Sequence, residues 1–101
     1  TPGEILREDF LVPLGISINH LSRELSVPPN RVSEIVNGKR SITADTALRL
    51  QRYFGVEAQF WLNLQTEYDL RIMKHKIWVD IERRIIPIEG AGAGLQCVNG
   101  V

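Results

Sequence analysis

The stretch SINHLSRELSVPPNRVSEIVNGKR, residues 17–40, decides how the chain folds. Ile18, Leu21 and Leu25 recur at i, i+3 and i+7, the spacing of one buried stripe on an α-helix. Ser17 stands just ahead of them, where its hydroxyl can cap a free backbone N–H. Pro28 and Pro29 then break the pattern: neither carries an N–H, and each biases the residue before it away from α geometry. A second helix starts from them, because proline is tolerated in a first turn. Val32, Ile35 and Val36 supply its buried stripe, and Asn37-Gly38 ends it with residues that accept a positive φ. Asn30, Arg31, Ser33, Glu34 and Asn37 are left facing outward on a helix braced by its partner. Two short helices joined by a tight turn, the second presenting a polar face, make a helix-turn-helix.

Amphipathic helix pairs are common, and most of them never touch nucleic acid. Two features favour DNA here. The polar face is followed at once by Lys39 and Arg40, which puts amide and cationic groups where a helix end meets a phosphate backbone. Charge is also unevenly spread. The chain as a whole is neutral, with 12 basic and 12 acidic residues. Between Ser17 and Phe54, however, Arg23, Arg31, Lys39, Arg40, Arg49 and Arg52 face only Glu24, Glu34 and Asp45, a local excess of +3. A neutral protein with a basic middle binds DNA locally, with weak non-specific affinity at physiological salt.

Working outward, 101 residues suit one modest core, and the 44% apolar and 24% charged fractions are ordinary for a soluble domain. Thr1-Pro2-Gly3-Glu4 combines a capping residue, an early proline and a first-turn acid, the signals of a helix start. Ile5, Leu6, Phe10 and Leu11 give that first helix its apolar face, and Pro13 and Gly15 end it. After the motif, Ser41-Ile42-Thr43 connects to a fourth helix capped by Thr43, carrying Ala44, Ala47, Leu48, Leu50 and Phe54 and stopped by Gly55. Val56-Glu57 opens a fifth helix with Phe60, Trp61, Leu64 and Tyr68 as its core stripe. These aromatics lack the interleaved cations of a base-stacking platform. Met73, Ile77, Ile81 and Ile85 repeat every four residues with no turn signal before them, so the fifth helix is expected to run on, whole or slightly broken, until just before Pro87. The expected fold is all-α, with a helix-turn-helix domain over residues 1–72. A C-terminal extension, helix then Gly-rich tail, occupies residues 73–101.

No catalytic constellation is present. His20 and His75 lack Cys or carboxylate neighbours at metal-ligand spacing. Cys97, the one cysteine, excludes an internal disulfide and has no basic setting to activate it. The glycines of Gly90 to Gly94 precede no helix with the Lys or Ser/Thr of a phosphate-binding loop. No metal, cofactor or enzymatic activity is expected. No apolar run reaches the roughly 18 residues of a membrane span and no signal-peptide pattern opens the chain, so a cytoplasmic location is expected. Without an initiating Met, the natural start is expected slightly upstream of Thr1.

PGEIL at residues 2–6, PPNRVSEIVNGKRSITADTALRL at 28–50 and FGVEAQFWLNLQTEYDLR at 54–71 closely resemble the HigA-type antitoxins, also labelled virulence-associated protein I. These belong to the wider Xre, or phage-repressor-like, helix-turn-helix group. The resemblance covers roughly residues 2–72 and fades beyond Ile72. It implies a five-helix lambda-repressor-like fold that dimerises on a palindromic operator in double-stranded DNA, represses its own toxin–antitoxin operon, and neutralises a HigB-type toxin that cleaves ribosome-associated mRNA. Ser22 and Ser26 depart from the Ala and Gly often found at those positions, and serine is small enough for both.

In such proteins the start of the second motif helix enters the major groove. That places Pro29, Asn30, Arg31, Ser33 and Glu34 nearest the bases, with Arg31 suited to guanine and Asn30 to adenine. Glu34 either accepts from cytosine or pairs with Lys39 or Arg40. Ser17, Asn19, Asn37, Lys39, Arg40 and Thr43 lie at the motif's edges, where phosphates are held. Trp61, Leu64, Ile77 and Ile81 are expected either at a dimer interface or packed within one chain. Two alternatives remain: a stand-alone Xre-type regulator without a toxin, and a protein-interaction module that has lost DNA binding.

Overall fold

Five helices make up the secondary structure of the computed structural model, which describes residues 1–89. The Gly90–Gly94 run, and with it Leu95, Cys97, Val98 and Val101, lies outside the described residues. Helix α1 occupies residues 2–14. The Thr1 hydroxyl accepts the Glu4 N–H at 3.2 Å and Pro2 sits in the first turn, as the helix-start signals require. Its middle, Leu6–Leu11, is wound as a wider π-helix, which apolar periodicity does not anticipate. Pro13 lies inside the last turn rather than ending it, and Gly15, at φ 66°, is the cap.

Helices α2 (Ile18–Leu25) and α3 (Pro29–Val36) form the helix-turn-helix, followed by α4 (Ala44–Phe54) and α5 (Ala58–Arg84). Leu6 and Leu11 of α1, Leu21 and Leu25 of α2, and Val32, Ile35 and Val36 of α3 share one core with Ile42, Ala47, Leu50 and Trp61. Each of the Val, Leu and Ile side chains among them, once fully buried, contributes roughly 1.5–3 kcal/mol. In α4 the inward face departs from expectation. Ala44 and Leu48 are exposed, while Thr46 is buried beside the Thr43 cap. Helix α5 begins at Ala58 rather than Val56, because the Gln51 side chain accepts the Ala58 N–H at 2.7 Å.

Trp61 is corrected from the dimer-interface reading. It is fully buried within the chain, with its ring centroid 4.9 Å from Phe10, 5.1 Å from Phe60 and 6.4 Å from Phe54. A side chain already surrounded by its own chain has no surface to offer a second copy. Leu64 is half-buried against the same core. The place expected for Phe60 on the core stripe belongs to Gln65, which is buried while Phe60 is partly exposed.

Residues 1–71 form one compact unit and residues from 72 onward a second. Helix α5 is unbroken from Ala58 to Arg84, and the Ile85 N–H adds one more bond to the Ile81 carbonyl at 2.9 Å. In the second unit Ile72, Met73, Ile77, Trp78 and Val79 are exposed and Ile81 is half-buried. No helix among the described residues is long and apolar enough to cross a membrane.

Candidate nucleic-acid interface

The motif is shaped by its backbone ends. Ser17 is extended and its Oγ accepts the His20 N–H at 3.0 Å, starting α2. Ser26 ends that helix in the left-handed region at φ 56°, where its N–H reaches the Arg23 carbonyl and that of Val27 the Ser22 carbonyl. Pro28 then turns the chain and Pro29 opens α3. Ser22 is completely buried between the helices and donates its hydroxyl to the Ile18 carbonyl at 2.9 Å, so the added oxygen is satisfied. At the far end of α3, Gly38 at φ 75° bends the chain back and the Lys39 N–H bonds the Glu34 carbonyl at 2.8 Å.

Two contacts invisible to periodicity fix where α3 sits. Gly3 of α1 is buried against its last turn: a Cβ there would lie 1.8 Å from the Ile35 carbonyl oxygen and 2.9 Å from the Val36 Cα. Gln65 of α5 accepts the buried Ile42 N–H at 2.8 Å, tying down the connector between α3 and α4. A third contact fixes the turn. Arg49 of α4 donates through Nη1 to the Leu25 carbonyl at 2.7 Å and the Ser26 carbonyl at 3.3 Å, capping the end of α2. Its Nε donates to Asp45 at 2.6 Å. Only the Asp45–Arg49 pair, four residues apart on one helix, has a signal readable in the sequence.

Eight of the residues expected to contact DNA line two depressions. One is lined by Ser17, Ile18, Asn19, Pro29, Asn30 and Ser33. The other is lined by Arg31, Arg40, Ser41, Thr43, Asp45 and Thr46. Thr43 caps α4, with its Oγ1 accepting the Thr46 N–H at 3.4 Å, so the second depression also contains the start of that helix. Asn37, at the C-cap of α3, is exposed and lines neither. Lys39 is exposed beside it. Glu34 adopts the pairing alternative: Arg40 directs Nε and Nη2 to its Oε1, both at 2.8 Å. Arg31 Nη1 stands 3.9 Å from the Asp45 carboxylate. The hydrogen bond from Arg49 holds the Asp45 carboxyl below the usual carboxylate range against desolvation, and the charges of Arg49 and Arg31 add to the effect. The surface around α3 thus offers amides, hydroxyls, helix-end N–H groups and guanidinium groups, the chemistry that holds phosphates and reads base edges.

Comparison with known proteins agrees with that chemistry. A helix-turn-helix family model matches residues 6–61. Virulence-associated protein I of Dichelobacter nodosus is 61% identical over 71 residues, which are 70% of this chain and 66% of that protein. The solved antitoxin HigA of Pseudomonas aeruginosa with the higBA promoter superposes with a TM-score of 0.84 at 47% identity, over 86% of this chain and 95% of that one. An addiction-module antidote protein of the HigA family from Coxiella burnetii gives 0.82 at 48%, with coverage of 86% and 95%. The chain belongs to the helix-turn-helix family and, within it, to the HigA-type antitoxins.

Proposed function

We propose that this chain is the antitoxin of a type II toxin–antitoxin module. It binds a palindromic operator of its own operon as a homodimer and neutralises a HigB-type, mRNA-cleaving toxin. One observation carries the reading above the others: the face of α3 that stays out of the core belongs to a fold shared, at 47% identity, with a HigA antitoxin solved with promoter DNA. Asn30, Arg31 and Ser33, with Pro29 at the helix start, contact base edges, and Arg31 forms the bidentate pair with guanine O6 and N7. Glu34 gives Oε1 to Arg40, which leaves Oε2 to accept from a base. Ser17 accepts its helix-cap bond through a lone pair, which leaves its hydroxyl proton for a phosphate oxygen, whereas the Thr43 hydroxyl also donates to Thr46 Oγ1 at 3.4 Å and turns from it to reach a phosphate. Asn19, Asn37, Lys39 and Arg40 complete the backbone contacts.

The two-fold partner packs on the distal half of α5. Met73 and Ile77 expose apolar surface there at helical spacing, and Ile81 continues the stripe. The test is a pair of cellular assays: repression of a reporter driven by the operon's own promoter, and growth rescue when the neighbouring toxin gene is induced. Repression with rescue supports an antitoxin. Repression alone leaves a stand-alone regulator, and rescue alone a protein-interaction module.

A further inference from the structure

Two arginines of the proposed DNA-contacting surface, Arg31 and Arg40, are already engaged with carboxylates of their own chain. Arg40 holds Glu34 through two donors at 2.8 Å, across the turn that ends α3. Arg31, on α3 itself, stands 3.9 Å from Asp45 in the first turn of α4, and Asp45 is anchored there by Arg49 at 2.6 Å. All four groups keep solvent access, with side-chain exposures of 32% for Arg31, 58% for Asp45, 46% for Arg40 and 37% for Glu34. Arg31, Arg40 and Asp45 line one depression together with the hydroxyls of Ser41, Thr43 and Thr46. A phosphate entering it meets two cations that carboxylates have partly neutralised.

We infer that Glu34 and Asp45 are specificity determinants, which discount the attraction of Arg40 and Arg31 for DNA of arbitrary sequence. The inference rests on the reading of α3 as the DNA-reading helix. Non-specific binding consists almost entirely of cations replacing the counterions of phosphates, so a cation paired within the protein contributes less to it. Exposed pairs of this kind are weak and exchange readily. A cognate site displaces them by offering bidentate base contacts and well-placed phosphates together, whereas random DNA offers phosphates alone. Discrimination thus comes in part from a penalty on the wrong partner.

Glu34→Gln, Asp45→Asn and the double variant test this, each titrated over a range of salt concentrations with an operator duplex and a random duplex of equal length. Both substitutions keep an amide oxygen as acceptor for Arg40 and Arg49, and circular dichroism checks the fold. Affinity for random DNA should rise by roughly eightfold near 0.1 M salt for each additional phosphate engaged, with the log–log salt slope steeper by about 0.9. Operator affinity should rise less, so that the ratio between the two duplexes falls. If the carboxylates only brace the fold, both affinities drop with the melting temperature, and the inference fails. Folded variants whose random-DNA affinity and slope are unchanged or lower overturn it as well. A wild-type protein with no preference for the operator overturns the DNA reading itself, and the inference with it.

Discussion

Gly3 holds α3 closer to α1 than any other residue type permits. Its backbone is ordinary helix, so alanine costs nothing in φ and ψ; the obstacle is the Ile35 carbonyl oxygen, 1.8 Å from the position of a new Cβ. That atom is backbone and cannot rotate away, so α1 and α3 must separate. Gly3→Ala should destabilise the fold by at least the roughly 1–3 kcal/mol usual for overpacking, read by chemical denaturation. It should also weaken operator binding, because the displaced helix is the one proposed to read DNA. Ser26 presents the opposite case. It occupies the left-handed region at φ 56° and ψ 46°, which disfavours an L-residue by about 1–2 kcal/mol. Glycine removes that strain but loses about 0.5–1 kcal/mol of chain entropy on folding. Ser26→Gly should therefore stabilise the protein by up to about 1 kcal/mol, seen as a higher denaturation midpoint with operator affinity unchanged.

Among the elements, α4 does more than its apolar stripe suggests. Arg49 joins it to the last carbonyls of α2, and Asp45 joins Arg49 to Arg31 of α3, so one helix braces both halves of the motif. The native state holds the Asp45 carboxyl below its ordinary range, so in acid the unfolded chain binds the proton more readily. The stability this supplies is complete above the ordinary carboxylate value near about 4 and is lost as pH falls through the lower native value. Unfolding curves of the native protein and Asp45→Asn should thus converge as pH drops below that value and separate above it.

The helix ends and most of the core were legible in the sequence, because Ser17, Thr43, Gly15, Gly38 and Gly55 act locally and Leu21, Leu25, Val32, Ile35 and Val36 obey one period. Gln65 was not, since a search for apolar residues passes over a buried amide whose partner, Ile42, lies 23 positions away. Trp61 was legible as a large apolar residue, but the nearest ring against it, Phe10, comes from the distant helix α1. Periodicity finds the face of a helix and leaves open what covers it.

At the scale of the whole molecule, a surface suited to phosphates exists on a chain without net charge because acids and bases are sorted along it. The sorting was readable as a +3 excess between Ser17 and Phe54, and the depressions around α3 gather five of the expected contacts in one and three in the other. The pairing of Glu34 with Lys39 or Arg40 was readable as one alternative, but the approach of Arg31 to Asp45 was not, because the two meet only in the folded chain. Everything proposed for this surface depends on α3 reading sequence, with Arg31 as its principal base contact. The decisive experiment is a fluorescence-anisotropy titration on the palindromes upstream of the gene, with Arg31→Ala alongside and salt varied. Selective, salt-sensitive binding is expected, which Arg31→Ala weakens by about 1–3 kcal/mol per half-site while relaxing preference at one base pair. Binding no tighter than to random DNA, or an Arg31→Ala variant equally selective, would contradict that role.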